Sequence, residues 1–186
     1  MLVWFFYYIG NYGLLTLGDT LLLRVGYSQT VSVMIVSIQS IGFIVGSIIA
    51  IFVIDRLERK WLCIITALIW ALALLVIGIF NHYYVIVILG FLATLTISLL
   101  VPIMYTYTAE TFPTAYRATG TSICDGLGHL GGAFCGQIIF LFYHLFHTHY
   151  ASNLAALATM AVSGVLTAFF LLFGKRLNGK HLTASI

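Results

Sequence analysis

The sequence predicts an all-α membrane protein of six transmembrane helices, and three observations carry that prediction. The 186 residues are 62% hydrophobic and only 7% charged, where an average soluble domain is ~25% charged. Apolar runs of roughly 20 residues, the length that crosses the hydrocarbon of a bilayer, recur six times. The basic residues between those runs fall almost entirely on alternate loops. No soluble core could hide this much apolar surface, so lipid is the expected solvent. The formal charge of +3 is small, and no basic face points to nucleic acid.

Helix 1 is expected over 2–23. Met1 runs directly into it without a basic leader segment, so it reads as a helix rather than a removed signal. Tyr8, Asn11, Tyr12, Thr16 and Asp19 recur at helical spacing and share a face. Helix 2, over 29–54, carries Ser32, Gln39, Ser40 and Ser47, and a ladder of small residues, Gly42, Gly46 and Ala50. "DRLERK" at 55–60 ends it. Helix 3, over 61–80, has almost nothing polar and is expected to face lipid. "NH" at 81–82 makes a tight break before helix 4, over 83–109, where Thr94, Ser98, Pro102 and Tyr105 form a second polar face. Pro102 removes a backbone hydrogen bond and frees a carbonyl near Ser98. Pro113 suits the turn "TFPTAYR" at 111–117. Helix 5, over 118–144, has a second small-residue ladder, Gly128, Gly132 and Gly136, and helix 6 covers 151–174 after a His-rich turn. Residues 175–186 are expected to form a tail.

The charges set the orientation. Arg56, Arg59, Lys60, Arg117, Lys175, Arg176 and Lys180 lie on one side, and Arg24 alone on the other. The positive-inside rule places the rich side, with both termini, in the cytoplasm. Cys63, Cys124 and Cys135 all lie in apolar runs and read as small helix residues, not as a disulfide framework or a metal site. No cofactor is expected.

A polar stripe on a membrane helix turns to a protein interior or a water-filled cavity. Interhelical hydrogen bonds account for any single Ser or Thr. The paired faces of helices 1 and 4 point instead to a cavity, with Tyr8, Asn11, Tyr12, Gln39, Ser98 and Tyr105 as its candidate lining. Asp125 and His129 are the sharpest anomaly. They lie about 12 Å and 18 Å beyond Arg117 along helix 5, near mid-bilayer, and stack at i and i+4. An ionised aspartate is costly there, so the two are read as a proton-handling pair, against the plainer alternative of a permanent structural hydrogen bond. Asp55, Arg56, Arg59, Glu110 and Arg117 gather at the cytoplasmic helix ends. They read either as a charge-paired gate or as a solvated loop with weak ion pairs.

"YTAETFPTAYRATGTS" (107–122) resembles the Tyr-x-x-Glu-x-x-Pro-Thr-x-x-Arg-x-x-Gly signature of the sugar-porter and metabolite–proton symporter branches of the major facilitator superfamily. "GSIIAIFVIDRLERK" (46–60) is similar to that family's Asp-Arg-x-Gly-Arg-Lys loop, with Glu58 in place of the glycine. "YYIGNYGLLTLGDTLL" (7–22) resembles its seventh helix. The resemblance covers the last six of the family's twelve helices. It implies a secondary transporter, or its carboxy-terminal half, that moves a small polar solute with protons by alternating access. It implies that helices 1 and 4 line the cavity, that helices 2 and 5 pack against another six-helix half or a second copy, and that helix 3 sits outside. The tail lacks the sugar porters' Pro-Glu-Thr motif, so a sugar is not the implied solute. A truncated half without transport of its own is the alternative. A rhomboid-like intramembrane protease is a remote one: "GHLGG" (128–132) resembles its histidine helix, but the only near match to a nucleophile motif, "AVSG" (161–164), follows that histidine instead of preceding it.

Overall fold

The computed structural model describes residues 1–146 and 148–174. The expected tail at 175–186, with Lys175, Arg176 and Lys180, lies outside the described residues. The described chain is six long helices: α1 (Leu2–Val25), α2 (Gln29–Val53), α3 (Arg59–Phe80), α4 (Tyr83–Thr111), α5 (Arg117–His144) and α6 (His149–Leu172). A single 3₁₀ turn, Thr114–Tyr116, precedes α5.

Local chemistry explains the breaks. Gly26 closes α1 in the left-handed region at φ 111°, and its N–H reaches back to the Leu22 and Leu23 carbonyls. Ser28 then caps α2 by accepting from the Val31 N–H. Asn81, also left-handed at φ 37°, ends α3, and Thr148 caps α6 through the Ala151 N–H. Pro102 is carried inside α4. Thr106 donates to the Pro102 carbonyl at 2.9 Å.

Five helices, α2 to α6, are long and apolar enough to cross a membrane. α1 is equally long, but Asn11, Asp19, three glycines and three tyrosines dilute it.

The packing follows three seams. α2 lies on α4, α3 is wedged between α4 and α6, and α1 lies on α5 and α6. Met1, the end of α6 and the α2–α3 and α4–α5 loops share one end of the bundle. There Lys60 donates to the Leu172 carbonyl at 2.8 Å and the Gly174 carbonyl at 2.7 Å, a cation on the carbonyl end of α6.

Two expectations are qualified here. α3 turns one apolar face outward, not its whole surface. It is the most enclosed of the candidate spans, with 61% of its apolar window buried against 28% for α2 and for α5. Cys63, Ala67, Trp70 and Leu74 face its neighbours, while Trp61, Ile65, Leu68 and Leu72 stay exposed. Lipid and a membrane protein's core are equally apolar, so hydrophobicity alone does not tell them apart.

The small-residue ladders are not free for a partner. A Cβ on Gly42 would stand 2.7 Å from the Phe91 carbonyl of α4, and one on Gly46 would stand 3.0 Å from Ser98 Cβ. On α5, a Cβ on Gly128 would meet Trp4 Cβ at 2.6 Å, and one on Gly132 would meet the Tyr12 ring at 2.5 Å. The ladders close the α2–α4 and α1–α5 seams inside this chain. Gly136 alone has open space around it.

Candidate functional site

Trp4, Tyr8 and Tyr12 follow one another at intervals of four on α1, so their rings stand on one face. The close α1–α5 seam brings that face onto Asp125 and His129. Tyr8 donates its hydroxyl to Asp125 Oδ1 at 2.5 Å. The His129 ring lies 4.0 Å from the Tyr8 ring, centroid to centroid. α4 supplies Tyr105, whose ring is 4.6 Å from the Trp4 indole. Trp4 is pinned by its Nε1–H, which donates to Thr108 Oγ1 at 3.0 Å.

Three helices thus surround one carboxylate with phenols, an indole and an imidazole. The acid is partly open, its side chain 24% exposed and that of His129 44%. Neither is sealed in the core.

The Asp125–His129 relation differs from the i,i+4 expectation. Their closest side-chain approach is 3.7 Å, from Nδ1 to Oδ1. Nδ1 instead sits 2.9 Å from the Asp125 backbone carbonyl. A carbonyl only accepts, so in this contact Nδ1 is the donor. The direct partner of Asp125 is Tyr8.

The remaining expected cavity residues go elsewhere. Asn11 is buried, and its Oδ1 has no hydrogen-bond partner among the described residues. Both Gln39 and Ser98 bond within the α2–α4 seam, and Gln39 also lines a small, largely apolar recess with Leu14, Leu22, Ile86 and Asn153. Gln39 Nε2 donates to the Ile86 carbonyl at 2.9 Å. Ser98 donates to the Phe43 carbonyl at 2.7 Å and meets Ser47 Oγ at 2.8 Å. Thr94 completes that seam by donating to the Gln39 carbonyl at 2.5 Å.

At the loop end, Arg59 is the centre. It reaches Glu110 at 2.8 Å and Asp55 at 3.2 Å. Arg56 is exposed and pairs with no acid among the described residues. Arg117 forms no ion pair among them either, and its Nε and Nη2 are buried without a hydrogen-bond partner. Arg24, at the opposite end, lies over the Tyr143 ring at 5.0 Å.

Sequence reasoning missed Trp4, Tyr7 and Thr108. The four-residue spacing of Trp4, Tyr8 and Tyr12 was the available signal for the first. Tyr7 is fully buried, its hydroxyl without a hydrogen-bond partner among the described residues, and Thr108 takes its place only through the long-range bond to Trp4.

Comparison with known proteins bears on what such a bundle belongs to. Residues 1–184 match the family model described as Major Facilitator Superfamily. Similar curated proteins include one named "Putative metabolite transport protein YyaJ" from Bacillus subtilis, 29% identical over 137 residues, or 74% of this chain and 30% of that protein. Another is the "Niacin transporter NiaP" of Acinetobacter baylyi, 28% identical over 183 residues, 97% of this chain and 40% of that protein. A third is "Organic cation/carnitine transporter 7" of Arabidopsis thaliana, 28% identical over 153 residues, 81% of this chain and 29% of that protein. The chain spans less than half the length of these relatives.

Proposed function

The chain belongs to the major facilitator superfamily, whose members are transporters and not enzymes, and we propose that it forms the carboxy-terminal six-helix half of a secondary active transporter for a small polar organic solute. On this reading α1 also spans the bilayer, with its polar face on the transport path. Alternating access rocks two such halves about a site near mid-bilayer. The solute then binds against Trp4, Tyr8, Tyr12 and Tyr105. Asp125 carries the coupling proton, and His129 exchanges it.

One observation carries the reading: the Tyr8–Asp125 bond, made across two helices on a partly open face. A purely structural acid in lipid would be sealed from water. The surrounding rings offer π faces, and among the described residues no Lys or Arg stands with them. Such a wall suits a flat or cationic solute better than a lone carboxylate. The names of the relatives, niacin and organic cation/carnitine transporters, agree with a small nitrogen-containing solute.

Further parts follow from the same reading. The loop end is cytoplasmic by the positive-inside rule, and Asp55, Arg59 and Glu110 hold it closed while the cavity opens outward. A second half is supplied by another six-helix segment or by a second copy.

Proteoliposome uptake tests the proposal. The chain is reconstituted with and without an amino-terminal six-helix half, under an imposed proton gradient. Accumulation with the second half, lost in Asp125→Asn while exchange partly survives, is the expected result. Normal accumulation by Asp125→Asn overturns the coupling role. No uptake with any second half favours the alternative of an inactive half.

A further inference from the structure

A second polar recess lies between α1 and α2, at the end of the bundle away from the charged loops. Its volume is about 270 Å³. Asp19 stands on its α1 wall, eleven residues beyond Tyr8 and therefore about 16 Å along the helix. The recess is separate from the Tyr8–Asp125 cluster and does not depend on how that cluster is read.

Its chemistry is one-sided. Thr16, Ser37 and Ser40 line it with Asp19. Each of these hydroxyls has already spent its proton on its own helix: Thr16 donates to the Tyr12 carbonyl at 2.6 Å, Ser37 to the Val33 carbonyl at 2.8 Å and Ser40 to the Val36 carbonyl at 2.8 Å. What they offer to the recess is lone pairs. Asp19 Oδ1 accepts from the Thr20 N–H at 2.7 Å and from the Thr20 hydroxyl at 3.3 Å. Oδ2 has no protein donor among the described residues. No Lys, Arg or His lines the space. The walls are therefore acceptors around one negative charge, flanked by hydrocarbon from Leu15, Val33 and Val36, and the groove is open outward, with Leu15, Thr16, Val33, Ser37 and Ser40 exposed.

An anion finds no donor here. A bare metal ion is far too small for the space, since one water occupies only about 30 Å³ of liquid. The volume approaches the low end of small-molecule pockets, about 300 Å³. We propose that this recess binds a small organic ammonium ion. The Asp19 carboxylate takes the charge, the hydroxyl oxygens of Thr16, Ser37 and Ser40 accept its N–H groups, and the three aliphatic side chains cover its carbon chain.

Cysteine protection in nanodiscs tests the site on the full chain. Leu15→Cys places a thiol on the recess wall, and the three native cysteines are buried. Labelling by a polar maleimide is followed with butylammonium as the probe. The expected result is saturable protection by butylammonium, with none from n-butanol or from sodium at matched ionic strength. In the same background Asp19→Asn raises the half-protecting concentration about tenfold or more, the loss of one charged hydrogen-bond partner. Asp19→Glu, which keeps the charge, retains protection, and Ser40→Ala weakens it less than Asp19→Asn. Equal protection by butanol reduces the recess to an apolar crevice and overturns the proposal. Equal protection by sodium makes it a simple ion site and also overturns it. So does unchanged protection in Asp19→Asn, loss of protection in both Asp19 variants, or a thiol that never labels and hence a recess closed to water.

Discussion

Gly128→Ala and Gly136→Ala should differ in stability, the first neutral to destabilising and the second stabilising. Both glycines stand on the same small-residue ladder of α5, eight residues apart. Each substitution adds one methyl group and gains the same helix propensity, about 0.8–1.0 kcal/mol relative to glycine. Their surroundings differ. The new Cβ at Gly128 lies 2.6 Å from Trp4 Cβ and 3.1 Å from the Trp4 backbone carbon. Neither atom is the loose end of a side chain, so α1 and α5 must move apart. Overpacking of that kind costs about 1–3 kcal/mol, which leaves Gly128→Ala between neutral and about 2 kcal/mol destabilised. The new Cβ at Gly136 meets nothing within 4 Å and keeps the whole propensity gain. The difference between the variants is then about 1–3 kcal/mol, in which the propensity cancels. Reversible unfolding in mixed micelles, followed by helical circular dichroism, measures it. Tyrosine absorbance reports the Tyr8–Asp125 bond, which should loosen in Gly128→Ala alone. Equal shifts in both variants would refute the claim that this ladder closes the α1–α5 seam. Loss of a dimer in both, with unfolding unchanged, would return the ladder to the role of a partner surface.

Other outcomes follow from the same geometry. His129→Gln removes the titratable imidazole and should shift the pH optimum of uptake while leaving solute affinity within a few-fold; an unchanged pH profile would confine His129 to a structural role. Arg59→Gln and Glu110→Gln should each increase cytoplasmic labelling of Tyr105→Cys. A double-mutant cycle between them should show coupling of about 0.2–1 kcal/mol, as for other partly exposed ion pairs; additive effects would dissolve the gate. Gln39→Leu breaks the bond to the Ile86 carbonyl and should destabilise the α2–α4 seam by about 1 kcal/mol without changing solute affinity, whereas a large affinity loss would put Gln39 back on the solute path. Leu57→Cys and His82→Cys should label from opposite sides of a sealed vesicle, Leu57→Cys from the cytoplasmic side; labelling of both from one side would reverse the assigned topology.

Helix existence was legible because it depends on local quantities. Apolar run length, Gly26, Asn81 and the capping Ser28 all act within a few residues. What depends on distant pairing was harder to read. Asp125 stood out in the sequence, yet spacing offered only His129 as its partner. The partner the fold supplies, Tyr8, is 117 residues away, and no periodicity on one helix encodes that. Gln39 and Ser98 look like cavity residues by polarity alone. Which carbonyl they satisfy is settled by the close approach of α2 and α4, and that approach is set by Gly42 and Gly46. The ladders correctly signal intimate contact, but small residues do not say with whom. α3 was only half legible for the opposite reason: a uniformly apolar helix carries no record of which side meets lipid.

The proposal of a second half rests on where the polar atoms are left. α2 and α5 are the least buried of the candidate spans, and their exposed residues include Ile41, Ile44, Ile48, Leu130 and Phe134. In lipid those side chains cost little, so hydrophobic exposure alone demands no partner. Asp125 and His129 change the argument, because they share α5 with that face and remain partly open. A carboxylate turned toward hydrocarbon is costly by several kcal/mol or more, and only a water-filled cavity or another protein wall removes that cost. The chain should therefore associate in a bilayer, and the association should depend on the outward side of α5. Ala133 is exposed there. Ala133→Trp adds bulk without polarity, so insertion is preserved while docking is blocked, which Gly46→Leu or Gly132→Leu would not achieve because those glycines already pack inside. Single-molecule photobleaching in liposomes should show two steps for paired chains, or one step on each of two labels when an amino-terminal half is supplied. Ala133→Trp should reduce both. Single bleaching steps with transport retained would refute the two-wall requirement, since one six-helix bundle would then be carrying its solute alone.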